Sequence, residues 1–409
     1  MSNLKRINIV SNPACERAGM KSYASLLNKY NFAPTTTGPF QRVDITKKSF
    51  KNAFKPKSKK TANVLRKVEE DGKPGEVKAE DQMNDALYIC PVEIGTPPQT
   101  LNLNFDTGHN VYNPKKSSTY AKKSGSTWKI KYGDGSTASG IVGTDNVTIG
   151  GLCIEGQAIE LASKLSSQFI EGAGDGLLGL AFGKINTVKP KPVSTPVESM
   201  IEQADINHDQ ELFTCYLGSW RDKDEADKGE SFYTFGYIDQ DVLDRCGVKE
   251  PHYVPIDTAN GFWQFSSPTA TVNGKTIKRP GNTAIADTGT TLALVSDDLC
   301  KDIYEQIPGA KFDKKNQGWT FPLNTPVDKL PKVTFAVGDK QFEVQKEDLG
   351  FARVSSTMQY GGIQSRGDSK FDILGDTWLK GCYAIFDQGR KRFGCVQRIE
   401  GEQNIVVPK

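Results

Sequence analysis

The chain has 409 residues, 37% of them hydrophobic and 25% charged, with 39 Gly spread along its length. This length suits about two domains, and the composition favours a folded, loop-rich protein over a disordered one. The formal net charge of +3 is unevenly divided, because residues 1–72 hold 15 Lys and Arg against 5 Asp and Glu, a net of +10, whereas the remainder holds 37 against 44, a net of −7.

The N-terminal segment is a basic arm that ends in a Pro- and Gly-containing linker, DGKPGE at 71–76. Within it, KSYASLLNKY (21–30) predicts a helix. The only early apolar run, residues 7–10, is too short for a secretory signal, so no signal peptide is visible. No stretch reaches the roughly 18 apolar residues of a membrane helix, so we expect no membrane partner. The basic cluster at 51–60 lacks an RNA-binding aromatic pattern, and we expect no nucleic-acid partner but an arm that folds back onto its acidic body.

From about residue 86 the sequence changes to short alternating segments separated by Gly, Asn, Asp and Pro. Strands of this length and spacing predict an all-β fold. VNGK (272–275) and VGDK (337–340) are hairpin-turn signals. Helices are few: residues 196–204 and 296–307, the latter with Ser296 at its cap.

An internal repeat is the most informative feature. LNFDTG (103–108) recurs as AIADTG (284–289), and each copy is followed by two apolar residues and Gly. These are Leu177-Leu178-Gly179, 73 residues after Asp106, and Ile373-Leu374-Gly375, 88 residues after Asp287. A single Asp-Thr-Gly is common by chance, whereas the paired arrangement is a specific signal.

One carboxylate per copy suggests two lobes related by a pseudo-two-fold axis, with Asp106 and Asp287 facing each other. Carboxylates this close share one proton over a wide acidic range, because they cannot both ionise easily. The charged member removes a proton from a water, and the neutral member donates one to the carbonyl oxygen under attack. Thr107 and Thr288 supply hydroxyls that support the two loops. The alternative is that each Asp-Thr-Gly only caps a turn.

Several other motifs suggest different chemistry. GDGLLG (174–179) fits a dinucleotide pattern but lacks a surrounding βαβ unit. SRGDS (365–369) contains an adhesion tripeptide, and Asn146 begins a glycosylation sequon. The eight Cys show no C-x-x-C spacing and the three His no metal-ligand spacing, so we expect neither a metal nor another cofactor. Cys382 and Cys395 flank a predicted hairpin and either form a disulfide or remain buried thiols.

From about residue 84 to 398 the chain resembles a pepsin-family aspartic protease, most nearly the secreted fungal endopeptidases of the endothiapepsin and penicillopepsin type. The matching segments include NFDTG, YNPKKSST, KYGDGS, DGLLGLAFGKINTVKP, YTFGYID, GFWQF, IADTGTTL and FDILGDTWLKGCYAIFD. The resemblance implies an all-β, bilobed double β-barrel fold with pseudo-two-fold symmetry and a few short helices. It also implies that Asp106 and Asp287 are the catalytic pair.

The resemblance extends to substrate binding and to the N-terminal arm. It assigns substrate binding to the tip of a flap, Tyr132, Gly133 and Asp134, and to positions beside the two Asp, Gly108, Gly289 and Thr290. Residues 1–75 resemble the family's inhibitory prosegment, 76–255 the N-terminal lobe and 256–409 the C-terminal lobe. A basic prosegment in the cleft of an acidic body would be released on acidification, as body carboxylates become protonated.

The first copy departs from the family pattern at His109. In the family this Gly is followed by Ser or Thr and then a strand of the type x-x-Leu-Trp-Val, whereas here Gly108 runs directly into His109. Roughly 17 residues, about 55 Å of extended chain, are absent. We expect the loss of a hydroxyl donor to Asp106, of a Trp that anchors the flap Tyr, and of an interior strand, which leaves ladder partners unpaired. The family's Cys partner for Cys300 is Leu323 here, so Cys300 is expected to be free.

The sequence therefore predicts a monomeric, extracellular aspartic endopeptidase, made as a zymogen and cleaving protein or peptide substrates at acidic pH. Its own prosegment would be its intramolecular inhibitor. The alternative is a catalytically impaired pepsin-like protein, a splice or gene-model variant, that only binds peptides.

Overall fold

A computed structural model describes residues 6–8, 10–11, 18–45, 62–68, 74–76, 88–104, 112–131, 137–165, 175–222 and 229–405. Strands dominate these residues, and the five α-helices among them are short. The helices are α1 (Gly19–Lys29), α2 (Pro196–Glu202), α3 (Gln240–Arg245), α4 (Asp297–Tyr304) and α5 (Asp376–Leu379). The 3₁₀ turns are Pro114–Lys116, Gly183–Ile185, His208–Gln210, Trp220–Asp222, Val327–Lys329 and Lys346–Leu349.

The strands are, in chain order, β1 (Ile7–Asn8), β2 (Val10–Ser11), β3 (Phe40–Ile45), β4 (Ala62–Val68), β5 (Pro74–Glu76), β6 (Tyr88–Ile94), β7 (Gln99–Asn104), β8 (Ala121–Lys131), β9 (Thr137–Ile149), β10 (Leu152–Leu165), β11 (Gly176–Leu177), β12 (Leu212–Tyr216), β13 (Phe232–Phe235), β14 (His252–Asp257), β15 (Gln264–Ser266), β16 (Thr269–Val272), β17 (Lys275–Lys278), β18 (Thr283–Ala286), β19 (Ala293–Val295), β20 (Lys311–Asp313), β21 (Gly318–Pro322), β22 (Val333–Val337), β23 (Lys340–Glu343), β24 (Gly350–Arg353), β25 (Met358–Gly361), β26 (Ile363–Ser365), β27 (Asp372–Leu374), β28 (Cys382–Asp387) and β29 (Arg392–Gln397).

Five sheets organise these strands. The largest has the order β1-β13-β12-β28-β29-β14-β15-β18-β27-β19-β26, and a seven-stranded sheet has the order β10-β9-β6-β7-β11, with β2 on β6 and β8 on β9. Two four-stranded sheets, β17-β16-β22-β23 and β20-β21-β25-β24, and a three-stranded sheet, β3-β4-β5, complete the set. One large apolar core runs through both halves of the molecule.

The local predictions are confirmed where the structure describes them. The three predicted helices form as α1, α2 and α4, and Ser296 stands at the N-cap position of α4. VNGK and VGDK are hairpin turns, joining β16 to β17 and β22 to β23. Asn273 and Gly274 both adopt positive φ, 48° and 79°, as a tight two-residue turn requires.

The internal repeat is reproduced in the strand register. β18, which precedes Asp287, runs parallel to β27 and pairs Ile285 with Ile373. β7, which precedes Asp106, likewise runs parallel to β11 and pairs Asn104 with Leu177. In both halves the residue two before the Asp therefore lies opposite the residue two before the distant Gly.

The two halves differ at the next strand. In the second half β19 follows the Asp-Thr-Gly and pairs antiparallel with β27, opposite Ile373 and Leu374. Within the described residues of the first half, β11 pairs with β7 alone, and Leu177 is 43% exposed. An open cavity of about 290 Å³, lined by apolar residues including Leu101, Leu103 and Trp128, lies beside it.

The predicted all-β fold with a few short helices is confirmed, and none of the sheets closes into a barrel within the described residues. Each sheet has two distinct end strands. β18 and β27 of the second repeat copy lie in the largest sheet, whereas β7 and β11 of the first copy lie in the seven-stranded sheet, which ends at β11 within the described residues. The architecture is therefore an all-β assembly of open sheets.

The N-terminal arm packs against the second half. Tyr23, Leu26 and Leu27 of α1 are at most 5% exposed and lie in a separate apolar cluster with residues of β18, β24 and β25. Gly19 lies so close to Tyr360 that an added Cβ would be 2.1 Å from its ring. This packing places the end of α1 beside Asp287.

Candidate active site

Asp287 lies directly after β18, in a turn that directs hydrogen bonds onto its carboxylate. The Gly289 amide donates to Asp287 Oδ1 at 3.0 Å, and the Thr290 hydroxyl donates to Oδ2 at 2.5 Å. The Asp287 amide donates to the Leu374 carbonyl, at 3.2 Å, which ties the turn to the end of β27. The second Asp-Thr-Gly is therefore more than a turn cap, because its carboxylate faces inward and is held by two donors.

Residues at the end of α1 contact this carboxylate. Lys29 Nζ lies 3.1 Å from Asp287 Oδ2 and donates to the Gly289 carbonyl at 2.8 Å. The Tyr30 hydroxyl donates to the same Asp287 oxygen and lies 3.2 Å from the Thr290 hydroxyl. Lys29 and Asp287 are each only about one-fifth exposed, at 22% and 21%, so the ion pair is largely shielded from solvent. The arm thus covers Asp287 together with both predicted substrate-binding residues beside it.

The electrostatics of Asp287 reflect this occupation. Burial raises the pKa of its carboxyl, but the positive charge of Lys29 and the hydrogen bonds from Thr290, Tyr30 and Gly289 outweigh burial and lower the pKa below its ordinary value. The Lys29 contact thus contributes stability above the ordinary carboxyl pKa and loses it as the pH falls through the lowered pKa. This environment therefore favours the ionised form of Asp287 while the arm is in place.

A cavity of about 250 Å³ opens beside the carboxylate. Lys29 and Tyr30 line it, together with Asp287, Thr288 and the aromatic residue Phe262. The space is mostly apolar, as a site for an apolar peptide side chain requires. No group of three or more His, Cys, Asp and Glu side chains in the described part of the chain is arranged to hold a metal ion.

Asp376 is a second buried acid next to this site. It begins α5, its amide donates to the Thr290 carbonyl at 2.7 Å, and it is 1% exposed. Neither of its carboxyl oxygens has a hydrogen-bond partner among the described residues. Burial raises the pKa of Asp376 well above its ordinary value, and the charge of Asp287 adds to the effect while Lys380 opposes it. The neutral form of Asp376 is therefore favoured, whereas the ionised form of Asp287 is favoured.

The other half of the predicted site falls outside the described residues. This applies to the first Asp-Thr-Gly and the flap tip: Asp106, Thr107, Gly108, His109, Tyr132, Gly133 and Asp134. The strands that lead to them are described, because β7 ends at Asn104 and the hairpin formed by β8 and β9 brackets residues 132–136. The pairing of the two Asp residues stays a prediction.

The remaining motifs have ordinary structural roles. Arg366 of the adhesion tripeptide lies 2.7 Å from Asp372, and Asp368 accepts from the Ala33 amide of the arm at 2.7 Å. Asn146 lies in β9, where its side chain accepts from the Gly156 amide, so its glycosylation stays a prediction. In the described segment between β11 and α2 the only helical element is the 3₁₀ turn Gly183–Ile185, not the α-helix that a dinucleotide-binding unit needs.

The described cysteines, Cys300 among them, are all free thiols. Cys382 and Cys395 form no disulfide because the register places Cys382 opposite Gln397 and Cys395 opposite Ala384, a diagonal arrangement.

Lys29, Tyr30 and Asp376 were not identified from the sequence. The first two close a predicted helix within a basic arm, and that position was an available signal for contact with an acidic site. Asp376 directly follows the second apolar-apolar-Gly set, so the repeat itself pointed to it. What the sequence did not reveal is the distance between these segments once the chain is folded.

Comparison with known proteins defines the family. Residues 87–398 match the family described as eukaryotic aspartyl protease. Aspergillopepsin-1 of Aspergillus flavus is 38% identical over 78% of this chain and 79% of its own, and endothiapepsin of Cryphonectria parasitica is 37% identical over 75% and 74%. The crystal structure of aspartic proteinase from Irpex lacteus superposes with a TM-score of 0.61 at 23% identity, over 76% of this chain and 94% of its own, which establishes a shared fold.

The register-matched repeat, the inward-facing Asp287 and these similarities agree. The chain belongs to the eukaryotic aspartyl protease family, as a pepsin-like fungal aspartic-type endopeptidase.

Proposed function

We propose that this chain is the zymogen of an acid endopeptidase, in which residues 1–75 inhibit the cleft and acidification releases them. The observation that carries the proposal is the contact of Lys29 and Tyr30 with Asp287. An amine and a phenol on the carboxylate exclude the water that a paired-Asp mechanism activates. A substrate peptide cannot bind while α1 fills the same space.

The catalytic step would use Asp287 with Asp106. With the arm gone, two facing carboxyls share one proton, and the ionised member accepts a proton from the attacking water. The Thr290 hydroxyl and the Gly289 amide keep the Asp287 carboxylate oriented. The substrates are peptides and proteins, since the cavity beside Asp287 suits apolar side chains. By resemblance, the enzyme acts outside the cell and as a monomer.

Other contacts of the arm also depend on ionised acids. Arg6 lies 2.6 Å from Asp239 and 2.8 Å from Glu230, and the Thr35 hydroxyl donates to Asp297 at 2.5 Å. The contacts of Arg6 anchor the arm at its first strand, in addition to the contact of Lys29 with Asp287 at the end of α1.

The test is the pH at which the full chain becomes active. As the pH falls below the ordinary Asp pKa of about 3.9, we expect a latent chain to lose its arm and to cleave a quenched fluorescent peptide, with sensitivity to pepstatin. Lys29→Met keeps the bulk but removes the charge, so Asp287 protonates at a higher pH and the activation midpoint rises by roughly one pH unit. Lys21→Met, on the same helix but away from Asp287, should leave the midpoint unchanged.

A second candidate function follows from the first half of the molecule. The edge of β11 without a described partner, and the open cavity beside it, favour a catalytically impaired chain that only binds peptides. Prosegment-free, folded chain with no pepstatin-sensitive cleavage at any acidic pH would establish this alternative and refute the first. Unchanged activation by Lys29→Met in an active enzyme would refute only the inhibitory role of the arm.

A further inference from the structure

The outer face of the hairpin formed by β8 and β9 carries a row of lysines. Lys129 of β8 lies opposite Ser139 of β9, and Ser139 lies opposite Lys164 of β10. Directly opposed residues of neighbouring strands share one face of a sheet. Lys129 and Lys164 therefore project from the same side, with the small Ser139 between them.

This side of the sheet lies opposite the cavity of the first half. Trp128 and Ile130, which flank Lys129 in the strand, line the internal cavity of the first half. Because successive strand residues point to opposite faces, Lys129 points outward, and its side chain is exposed.

A third lysine extends the row. The amides of Thr127 and Lys189 donate to each other's carbonyls at 3.0 Å and 2.8 Å. Thr127 lies two residues from Lys129 and so shares its face. Lys189, the bridge partner of Thr127, is exposed on the same side. We call Lys129, Lys164 and Lys189 the outer basic patch.

The charge of the outer basic patch is uncompensated by its surroundings. Residues 127–131, 137–141 and 161–165 contain no Asp or Glu. Within the described residues, none of the three lysines forms an ion pair, although Lys and Arg elsewhere form many. At a strand spacing of about 4.8 Å, Lys129 and Lys164 stand about 10 Å apart, close enough for one multivalent anion to contact both.

We propose that the outer basic patch is an exosite for phosphorylated protein substrates. The proposal rests on the proposed endopeptidase function and names a class of substrate for it. β8, which carries Lys129, leads to residues 132–134, which resemble the tip of the family's flap over the cleft, so we expect a substrate held at the patch to reach the cleft. Fixed positive charge next to a cleft raises the local concentration of anionic substrates.

At the acidic pH of the proposed activity, phosphate groups on a substrate remain negatively charged while most carboxyl groups do not. Near pH 3.5 most Asp and Glu side chains of a substrate are neutral, since their ordinary pKa values are about 3.9 and 4.3. A phosphoserine has its second pKa near 6 and keeps one negative charge in this range. A patch of this kind therefore distinguishes phosphorylated from merely acidic segments only in acid.

Binding tests the proposal independently of activity. The probe is a fluorescent 20-residue peptide with several phosphoserines, compared with its unphosphorylated form near pH 3.5. The protein is the full chain with Asp287→Asn, which prevents self-cleavage. We expect the phosphorylated peptide to bind with a Kd about tenfold or more lower than that of the unphosphorylated peptide, and this gain in affinity should shrink steeply as salt is added.

Replacing all three patch lysines by Ser should abolish the gain in affinity. The charge-matched control Lys275→Ser, Lys278→Ser and Lys311→Ser, on exposed strand positions elsewhere, should keep it.

Several results would overturn the exosite. These are equal binding of both peptides, retention of the gain without the patch lysines, and loss of the gain in the control variant. Equally strong, patch-dependent binding of a phosphorylated polysaccharide or of phosphatidic acid vesicles would overturn its assignment to protein substrates. In prosegment-free enzyme, the patch variant should raise KM for a phosphoprotein but not for its dephosphorylated form, with kcat unchanged. Absence of any cleavage would count against the endopeptidase function, whereas the binding comparison would still decide the patch.

Discussion

At the scale of single residues, Asp287 and Asp376 show how neighbouring acids acquire opposite states. Asp287 has an ammonium, two hydroxyls and an amide directed at it, and these favour its ionised form. Asp376 is fully enclosed and neither oxygen has a described partner, so its neutral form is favoured. Because both are Asp side chains, only their surroundings explain why their pKa values shift in opposite directions.

Asp376→Asn tests this assignment through the pH dependence of stability. A raised pKa in the folded state gives stability that is fully present below the ordinary carboxyl pKa and is lost as the pH rises above it. Asparagine removes that ionisation, so the variant should be more stable than wild type at pH 6 by about 1–3 kcal/mol and nearly equal at pH 3. Urea denaturation of the full chain at the two pH values measures the difference.

The matched control is Asp339→Asn, because Asp339 is 93% exposed. It should shift stability by no more than about 0.5 kcal/mol at either pH. Equal stability of Asp376→Asn and wild type at pH 6 would show that Asp376 ionises freely in the folded chain.

At the scale of elements, β27 stabilises the turn that carries Asp287. It pairs with β18 directly before Asp287, and its first residue, Asp372, is completely buried. Asp372 accepts from Arg279, from Arg366 at 2.7 Å and from Asn282 at 3.0 Å. These contacts join the strand ends on both sides of the Asp-Thr-Gly loop.

Arg366→Met should therefore destabilise the chain by about 3 kcal/mol, because it leaves part of a buried charge uncompensated. Lys370→Met, an exposed position in the same loop, should cost less than about 0.5 kcal/mol. Urea midpoints at neutral pH compare the two. If Arg366→Met lowers the free energy of unfolding no more than the control does, then Arg279 and Asn282 are enough to stabilise the buried charge of Asp372.

Much of the arrangement of turns and paired strands could be predicted from the sequence. Asn273-Gly274 predicted its hairpin because few residues other than Asn and Gly adopt positive φ easily. The repeat predicted the matching register of β7 with β11 and β18 with β27, since each copy contributes one strand before Asp and one before Gly. The sequence did not reveal which strands form the sheet edges, because edge positions depend on contacts between distant segments. For the same reason the contact of Lys29 with Asp287 was not predicted.

At the scale of the whole molecule, the arm is part of two sheets. Ile7–Asn8 pairs with β13 of the eleven-stranded sheet, and Val10–Ser11 pairs with β6 of the seven-stranded sheet. Arg6 anchors the same segment between two carboxylates and lies 4.5 Å from the centre of the Phe232 ring. Residues 6–11 thus connect the two largest sheets.

Refolding should consequently depend on the arm. After dilution from urea at neutral pH, the full chain should recover a several-fold larger fraction of its native fluorescence than residues 76–409 alone. The refolded full chain should also show a cooperative thermal unfolding transition. The full chain with Arg6→Met and Lys29→Met tests whether the charged anchors are needed and should fall between the two. Equal recovery by the chain without its arm would show that the body folds unaided.

If the chain is the proposed zymogen, maturation would remove β1 and β2, and with them the segment that joins the two largest sheets. The remaining body would then persist by the height of its unfolding barrier rather than by equilibrium with the unfolded chain. By the refolding prediction above, an enzyme molecule that unfolded after maturation would not regain its structure, so its working life would run from the moment of release.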